Sequence, residues 1–349
     1  MEETLRADTP AIVLVRLSAL GDVAMTIPAI YDLCQHNPGS RVVLVTRRWM
    51  AKMFVNAPSN LTVEGIDPAK DFKGIRGIYR LSKELRAKYH IKAFIDLHDV
   101  LRTRLLRNFM RLSGVPVTVI DKGRKEKRKL SSQGAKKYFS DGKEPLMTTI
   151  DRYYDAIERA GFPIKKEFEC LFAPSAPEHG TTRKKRIGVA PFAAHKGKIY
   201  PLELMAEVVA TLAKKDNTEI YLFGAGDSEC AILEEWSKGR PNVINMAARK
   251  SGLTAELELM STLDVMLSMD SANMHLASIA GTPRCVSIWG ATHPAAGFTP
   301  HRANPDDIIG IDMPCRPCSV YGNKPCRFRD TPCLRRISPD TVLKALDRP

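Results

Sequence analysis

A short loop near the start of the chain carries the residues best suited to acid–base chemistry. The apolar run at residues 12–17 predicts a strand that is buried on both faces. Asp22 ends the following loop, just before a helical pattern, and Gly21 is expected to relieve a turn that needs a positive φ. Such loops lie at the carboxyl edge of a parallel sheet, where α/β proteins bind ligands. Asp22 is therefore a candidate general base; the alternative is an N-cap that accepts helix amides.

A loop in the second half of the chain has the composition of a phosphate site. Lys196 and Lys198 flank Gly197, after a predicted strand at 186–190 and before a predicted helix at 201–214. Basic side chains and a glycine beside a helix N-terminus can bind a phosphate group. Both lysines are therefore candidate donor-binding residues, and the alternative is an ordinary solvated loop.

Two further strand ends carry polar residues. Asp270, Ser271 and Ala272 open a predicted helix that also carries His275. Free amides, a hydroxyl and an imidazole suit a diphosphate, although a lone histidine is more often structural. Glu229 stands where the dinucleotide pattern Gly-x-Gly-x-x-Gly needs its third glycine, which disfavours a nicotinamide site. Its carboxylate is a candidate for ribose hydroxyls or for complementing the start of a helix.

Four of the eight cysteines crowd into one C-terminal segment, at Cys315, Cys318, Cys326 and Cys333. The first pair has the Cys-x₂-Cys spacing of structural zinc sites, and four thiolates would complete a tetrahedral shell. The second pair lacks that spacing, so disulfides and free buried thiols stay open as alternatives. A metal here would be structural, because a full thiolate shell leaves no position for a substrate.

The charge balance favours anionic partners. Among 349 residues, 53 Lys and Arg outnumber 39 Asp and Glu, for a net charge of +14. Nucleotides, phosphorylated glycans, membrane surfaces and nucleic acid all fit such a charge. The run at residues 122–129 holds six bases and one acid, and it is either a binding segment or a solvated face. No apolar run approaches the ~20 residues needed to span a bilayer, and the N-terminus lacks a secretory pattern, so we expect a cytoplasmic protein.

Strand and helix patterns alternate along both halves, which predicts an α/β fold of two Rossmann-like domains with parallel sheets facing a central cleft. We expect an N-terminal domain at 1–172, a linker at 173–185 rich in Pro, Gly and charge, and a C-terminal domain at 186–349. Residues 121–149 are expected to form a long loop. No Asp-x-Asp diphosphate–metal motif occurs, so lysines and helix dipoles would stabilise a leaving group without Mg²⁺.

Several motifs, in this order, resemble glycosyltransferase family 9, the bacterial lipopolysaccharide heptosyltransferases. They are residues 16–23 (RLSALGDV), 198–201 (KIYP), 270–277 (DSANMHLA) and 281–290 (GTPRCVSIWG). The resemblance implies a GT-B architecture and an inverting transfer from a nucleotide sugar, typically ADP-heptose. It implies that Asp22 is the general base, that Lys198 contacts the diphosphate and that Asp270, Ser271 and His275 bind the donor. Ala272 departs from the usual glycine, and Tyr200 stands where tryptophan is common.

The resulting hypothesis is a metal-independent transferase that moves a heptose or related sugar to an anionic glycolipid at the inner membrane surface, with no catalytic cofactor. Candidate acceptor-binding residues are Ser18, Gly21, Arg124, Lys125 and Arg128. One alternative is another GT-B enzyme that uses a UDP-sugar, as a transferase or an epimerase. The other is a non-catalytic nucleic-acid binder with a zinc module, which does not explain the three strand-end loops. We therefore expect no nucleic-acid partner.

Overall fold

The computed structural model describes residues 9–173 and 183–348. Up to residue 173 the strands are β1 (Ala11–Val15), β2 (Arg41–Arg47), β3 (Leu61–Ile66), β4 (Ile91–Asp96) and β5 (Val117–Val119). The helices of that part are α1 (Leu20–Ala24), α2 (Ile27–His36), α3 (Gly74–Lys88), α4 (Leu101–Leu112), α5 (Arg124–Gln133), α6 (Ala135–Ser140) and α7 (Thr149–Arg159).

From residue 183 the same alternation continues. The strands are β6 (Lys185–Ala190), β7 (Thr218–Leu222), β8 (Val243–Asn245), β9 (Val265–Met269), β10 (Arg284–Ile288) and β11 (Ile308–Ile309). The helices are α8 (Leu202–Ala213), α9 (Gly226–Ser237), α10 (Met246–Arg249), α11 (Leu253–Ser261), α12 (Ala272–Ala280), α13 (Pro332–Arg335) and α14 (Pro339–Asp347). Within the described residues, no helix is both long enough and apolar enough to cross a bilayer.

The chain divides into two compact units. The first contains the described residues up to Lys122 together with Thr149–Glu169, and the second contains Gly123–Thr148 and the described residues from Cys170 onward. The segment that carries α5 and α6 therefore belongs to the second unit, although the sequence placed it in an N-terminal domain ending at 172. Most of the predicted linker at 173–185 lies outside the described residues.

The first unit is built on a five-stranded parallel sheet with the order β3-β2-β1-β4-β5. Every residue of β1 is buried, as expected for a central strand covered on both faces. The chain runs outward from β1 through β2 to β3, and then returns to the other side of β1 with β4. The direction of winding therefore reverses between β1 and β4, and ligands of open α/β sheets bind in the crevice that such a reversal leaves.

The second unit repeats this plan with a six-stranded parallel sheet in the order β11-β10-β9-β6-β7-β8. Here the reversal lies between β6 and β9. The loops that follow these two strands carry Lys196, Lys198 and Asp270, so the topology alone brings these residues to one edge of the sheet. Both sheets are parallel, as the sequence predicted.

The prediction of a long loop at residues 121–149 was wrong. The structure has helices α5 and α6 there, separated by Gly134 at φ 80°. The sequence analysis was misled by the high charge of this stretch, because its helices also have a short apolar face. Leu130 and Tyr138 of that face are buried against Ala295 and Ala296. Lys127 is also buried, and its ammonium lies 4.1 Å from the centre of the Phe298 ring. The polar composition thus belongs to helices with one buried side.

Candidate active site

Asp22 lies in helix α1, where its carboxylate is held by two groups. Oδ2 accepts a hydrogen bond from the Ala19 backbone N–H at 3.1 Å and pairs with the Arg16 guanidinium at 2.7 Å. Arg16 is 4% exposed and also donates to the Leu97 carbonyl, so it is fixed between β1 and β4. The Asp22 side chain remains 30% exposed. A rigidly held, partly exposed carboxylate at this crevice suits a general base.

Two details of this loop differ from the sequence-based expectation. Ala19, not Asp22, is the N-cap of α1; Asp22 occupies the third helical position and reaches back to the cap N–H. Gly21 is a helical residue of α1 and does not form a left-handed turn. The carboxylate therefore still stabilises the helix start, but from the position that a capping box uses for its acid.

His98 is a site residue that the sequence analysis missed. It follows β4 and is 6% exposed. Its Nδ1 accepts the Leu17 backbone N–H at 3.4 Å, and its Nε2 lies 3.3 Å from the Ser18 hydroxyl oxygen. Burial, then the charge of Arg16, lowers the pKa of His98 to about 3. The ring is therefore neutral, and because Nδ1 accepts a hydrogen bond, its proton lies on Nε2 and faces Ser18.

Tyr153 and Arg16 also escaped the sequence analysis as site residues. The Tyr153 hydroxyl donates to the Asp22 carbonyl at 3.0 Å, and the Arg16 guanidinium lies 6.0 Å from the centre of its ring. Through Tyr153, helix α7 therefore stabilises α1, although the two helices are more than 120 positions apart in the sequence. Only the position of Arg16 directly after a buried strand could have indicated its role; nothing local marks Tyr153.

In the second unit, the structure brings Lys198 and Asp270 into direct contact. The Lys198 ammonium lies 2.8 Å from the Asp270 carboxylate, and the Thr292 hydroxyl donates to the same carboxylate oxygen at 2.7 Å. Asp270 is 4% exposed and Lys198 15%. Lys198 ends the 3₁₀ helix Lys196–Lys198, and its side chain passes Gly322, where an added Cβ would lie 2.9 Å from its Cγ. The lysine is therefore held from two sides.

The start of α12 completes this cluster. Ser271 is the N-cap of the nine-residue helix, Ala272 is its first residue, and the Ser271 and Ser268 hydroxyl oxygens lie 3.2 Å apart. His275 lies one turn further along and is 5% exposed. The predicted donor-binding residues around Asp270 therefore share one site at the carboxyl end of β9, where the helix offers free amides and the positive end of its dipole.

Two other predicted donor-binding residues are placed differently. The Glu229 carboxylate accepts the Ala225 N–H at 2.8 Å, so it stabilises the start of α9, one of the two roles considered for it. Lys196 lies in the same 3₁₀ helix as Lys198 but is exposed. Tyr200, which replaces the common tryptophan, is fully buried, and its hydroxyl donates to the Ile337 carbonyl at 2.7 Å. Tyr200 therefore anchors the loop that carries Lys198 to the core of the second unit.

The candidate acceptor-binding residues fall in different units. Ser18 and Gly21 lie beside Asp22 in the first unit. Arg124, Lys125 and Arg128 are exposed residues of helix α5 in the second unit. The basic run is thus an ordered helix face, and its role in acceptor binding stays a prediction.

The four clustered cysteines are free thiols. Three of them, Cys315, Cys318 and Cys333, lie close enough to the buried Arg316 to act on its charge. Burial, and then the nearby thiols of Cys315, Cys333 and Cys326, raise the pKa of Cys318 to about 11. Over residues 9–173 and 183–348, no group of three or more His, Cys, Asp or Glu side chains could hold a metal ion. The expected four-thiolate zinc shell is therefore not formed. Zinc binding stays a prediction that metal analysis of protein purified under reducing conditions would test.

That arginine, Arg316, links the cysteine segment to the Lys198 site. It is 3% exposed and donates from Nε to the Gly290 carbonyl at 2.7 Å and from Nη2 to the Thr292 carbonyl at 3.2 Å. It donates to the Ile311 carbonyl as well. Because the Thr292 hydroxyl holds Asp270, this arginine supports the site through the loop that follows β10.

Comparison with known proteins identifies the family and the fold of this chain. The model of glycosyltransferase family 9 (heptosyltransferase) matches residues 78–327. Lipopolysaccharide core heptosyltransferase OpsX of Haemophilus influenzae is 22% identical over 306 residues, which cover 85% of this chain and 83% of that protein. The structure of a glycosyl transferase family 9 protein from Veillonella parvula superposes with a TM-score of 0.71 at 20% identity. The match covers 99% of this chain and 98% of that chain.

The E. coli heptosyltransferase WaaC with ADP-2-deoxy-2-fluoro heptose has a TM-score of 0.64 at 15% identity, with 97% of this chain and 99% of that chain covered. The two parallel-sheet units have the GT-B type of fold that the sequence predicted. The chain belongs to glycosyltransferase family 9, and it is a glycosyltransferase.

Proposed function

We propose that this enzyme transfers a heptose from ADP-heptose to a sugar of the lipopolysaccharide core, with inversion at the anomeric carbon. The observation that carries the proposal is the Lys198–Asp270 pair at the start of α12, because it places a fixed cation beside free helix amides. The similarity to two lipopolysaccharide heptosyltransferases supports heptose and lipopolysaccharide as substrates. The ADP-sugar bound by WaaC supports the adenine nucleotide.

In this proposal Asp22 removes the proton from the acceptor hydroxyl as that oxygen attacks the anomeric carbon. The bond from the anomeric carbon to the diphosphate oxygen breaks in the same step, so one displacement inverts the centre without a covalent intermediate. Arg16 and the Ala19 N–H hold the carboxylate in place. General-base catalysis of this kind contributes about 10²–10⁴-fold to the rate.

The departing diphosphate needs compensation for its developing charge. Lys198, oriented by Asp270, supplies a cation, and the Ser271 hydroxyl and the first amides of α12 supply hydrogen bonds. Such preorganised donors stabilise a leaving group without reorganisation during the reaction. On this proposal the reaction proceeds in the presence of EDTA.

The variant Asp22→Asn tests the role of the base. Asn keeps a similar shape and can still accept the Ala19 N–H, and Asp22 lies in the other unit from the donor site, so the ADP affinity should stay the same. Because the charge pairing with the buried Arg16 is lost, urea unfolding of the variant is measured beside its turnover. Turnover with ADP-heptose and a lipopolysaccharide core acceptor should fall by about a hundredfold or more, because amides do not accept the proton. Product mass and anomeric configuration are read from the wild-type reaction.

Near-wild-type turnover of Asp22→Asn would reduce Asp22 to a structural group. The rival use of a UDP-sugar is decided in the same assay by offering UDP-sugars in place of ADP-heptose. Transfer, or epimerisation, with a UDP-sugar alone would contradict the proposed donor.

A further inference from the structure

Helices α3 and α4 of the first unit have apolar side chains on their outer side as well as on the side that packs in the core. The two helices pack against each other, and their inner side chains belong to one hydrophobic cluster with β1 and β4. On the outer side, four large apolar residues are between 51% and 84% exposed, and two more are partly buried. This α3–α4 surface consists of the exposed Ile75, Tyr79, Leu101 and Leu112 and the partly buried Leu105 and Phe109. Contiguous apolar patches on a protein surface typically mark a site of interaction.

The α3–α4 surface is continuous across the two helices. Leu101, Leu105 and Leu112 recur at spacings of four and seven residues along α4, which places them on one side of that helix. Phe109 joins this stripe to α3, because its ring meets the Tyr79 ring edge to face, with the ring centres 5.3 Å apart. The outer apolar residues therefore form one patch.

The same two helices are strongly basic. Helix α3 has three Arg and two Lys against one Glu, and α4 has four Arg and no acidic residue. The single acid, Glu84, lies 3.5 Å from the Arg80 guanidinium. Exposed cations lie within one helical turn of the apolar residues on both helices, among them Arg76, Lys83 and Arg111. An anionic partner therefore complements the α3–α4 surface.

Two of the α4 arginines also have a structural role. Arg107 lies 2.9 Å from the carboxylates of both Asp96 and Asp99, and Arg104 lies 3.0 Å from Asp99. These ion pairs fix the turn between β4 and α4. The cations that distinguish this surface are therefore those on α3 and at the far end of α4.

Charge and apolar area together decide which partner fits. If the surface paired with itself in a second copy of the chain, the arginines of two α4 helices would meet, and like charges repel. Nucleic acid would neutralise the cations but would leave the exposed leucines in water. An anionic bilayer satisfies both, because its phosphates meet the cations while apolar side chains enter the boundary between headgroups and acyl chains. The aliphatic stems of Arg and Lys can lie along the same boundary.

We propose that the α3–α4 surface docks the enzyme on an anionic phospholipid bilayer, with Leu101, Leu112 and Tyr79 at the depth of the headgroups. Docking holds the first unit, which carries Asp22, close to an acceptor that is anchored in the same bilayer. The inference goes beyond the proposed transfer, because docking needs neither the donor nor the acceptor sugar.

The test is flotation of the full chain with lipid vesicles in the absence of any substrate. The probes are vesicles of phosphatidylcholine alone and of an equal mixture of phosphatidylcholine and phosphatidylglycerol. We expect the protein to bind the anionic vesicles and to bind the neutral ones about tenfold more weakly or less. Affinity for the anionic vesicles should fall as salt is raised, since exposed charges are screened.

The double variant L101Q/L112Q tests the apolar part of the surface. Both side chains are exposed, so the fold should be kept, as urea unfolding checks. Affinity for anionic vesicles should fall about tenfold or more, because moving even one leucine side chain out of water contributes about that factor. The matched control M147Q/F328Q replaces two exposed apolar residues of the second unit and should bind as the wild type does.

The double variant R76Q/R111Q tests the charge. It should weaken binding to anionic vesicles by about tenfold or more and flatten the salt dependence, because each basic residue near an anionic surface contributes severalfold. The matched control K136Q/K137Q removes two exposed lysines of α6 and should change neither.

The variant Leu112→Trp reports the depth of docking. Its emission is compared with that of the wild type, which contains Trp49, Trp236 and Trp289. The added emission should shift to shorter wavelength on anionic vesicles, because the indole leaves water. Bound protein whose added indole stays in water would contradict the proposal.

Absence of vesicle binding by the wild type would overturn the proposal, as would equal losses in L101Q/L112Q and M147Q/F328Q. A wild-type dimer that L101Q/L112Q dissociates, without vesicle binding, would assign the surface to a second copy instead. Turnover with ADP-heptose and a lipid-free core oligosaccharide should be the same in L101Q/L112Q and in the wild type. Failure of transfer with intact vesicle binding therefore counts against the transferase function alone.

Discussion

The Lys198–Asp270 pair shows how a single side chain can serve both structure and binding. A buried carboxylate that keeps one cation and one hydroxyl as partners is stable in the absence of a ligand. The same pair holds the ammonium at the helix start, where a diphosphate would meet it. The ion pair therefore limits the motion of a flexible lysine before substrate arrives, which lowers the entropy cost of binding.

The variant Lys198→Met removes this charge, and with it the cation partner of the buried Asp270. Methionine keeps an aliphatic stem beside Gly322 and removes the ammonium. We expect ADP to bind roughly 10- to 100-fold more weakly, since a charged hydrogen bond typically contributes about 1.5–3 kcal/mol. Adenosine lacks the diphosphate and should bind as it does to the wild type. Calorimetry with both ligands decides the matter, and equal losses for the two would place Lys198 outside the diphosphate site.

The site residues differ in how far the sequence revealed them. Asp22, Lys198 and Asp270 follow buried strands, so strand periodicity and polarity were enough to single them out. His98 also follows a strand, but a histidine after Asp96 and Leu97 has no distinctive spacing. Its position became clear only once β4 was paired with β1, because that pairing depends on contacts between residues about 80 positions apart.

At the scale of the elements, the cysteine segment contributes to the structure of the second unit through the hydrogen bonds of Arg316. One guanidinium joins three carbonyls from two stretches of chain, and the carbonyl of Arg316 itself accepts the Ala135 N–H at 2.7 Å. The first residue of α6 and the loop after β10 are therefore fixed by the same residue. The spacing of the first cysteine pair suggested a structural metal site, which stays a prediction, and it gave no sign that Arg316 would fix this segment through hydrogen bonds.

The variant Arg316→Ala should destabilise the second unit. Several buried carbonyls would lose their donors, at about 1–3 kcal/mol each, so a loss of roughly 3 kcal/mol in the free energy of unfolding is expected. ADP affinity should also fall, because Thr292 no longer positions Asp270. Arg327→Ala is the matched control, since that exposed arginine of the same segment lies against the neighbouring Phe328 ring. A similar loss in both variants on urea unfolding would argue against the role of Arg316.

At the scale of the molecule, both units share one topological feature. Each has a parallel sheet whose winding reverses beside the first strand, and each places its candidate residues at that reversal. Alternating patterns were sufficient to predict two such sheets. The allocation of residues 123–148 to the second unit was not predictable, because it depends on Leu130 and Tyr138 packing against residues more than 150 positions later.

Each unit also contains a histidine, buried or partly buried, that is neutral in the folded state. Burial, with Arg16 next, lowers the pKa of His98 to about 3, and burial, with Arg316 next, lowers that of His293 to about 4. An unfolded histidine has a pKa of about 6.5. Below that pH the unfolded chain binds protons that the folded chain does not, so the folded state loses stability as the pH falls from 6.5 towards 4.

The variant His98→Gln should therefore flatten the pH dependence of stability. Wild-type protein at pH 5 should lose about 2 kcal/mol more of its unfolding free energy, relative to pH 8, than this variant does. The comparison is made between the two pH values within each protein, because the substitution also removes the contacts with Leu17 and Ser18. His90→Gln, at an exposed histidine of the same unit, should keep the wild-type dependence in urea unfolding. An unchanged pH dependence in His98→Gln would show that the buried ring does not oppose protonation.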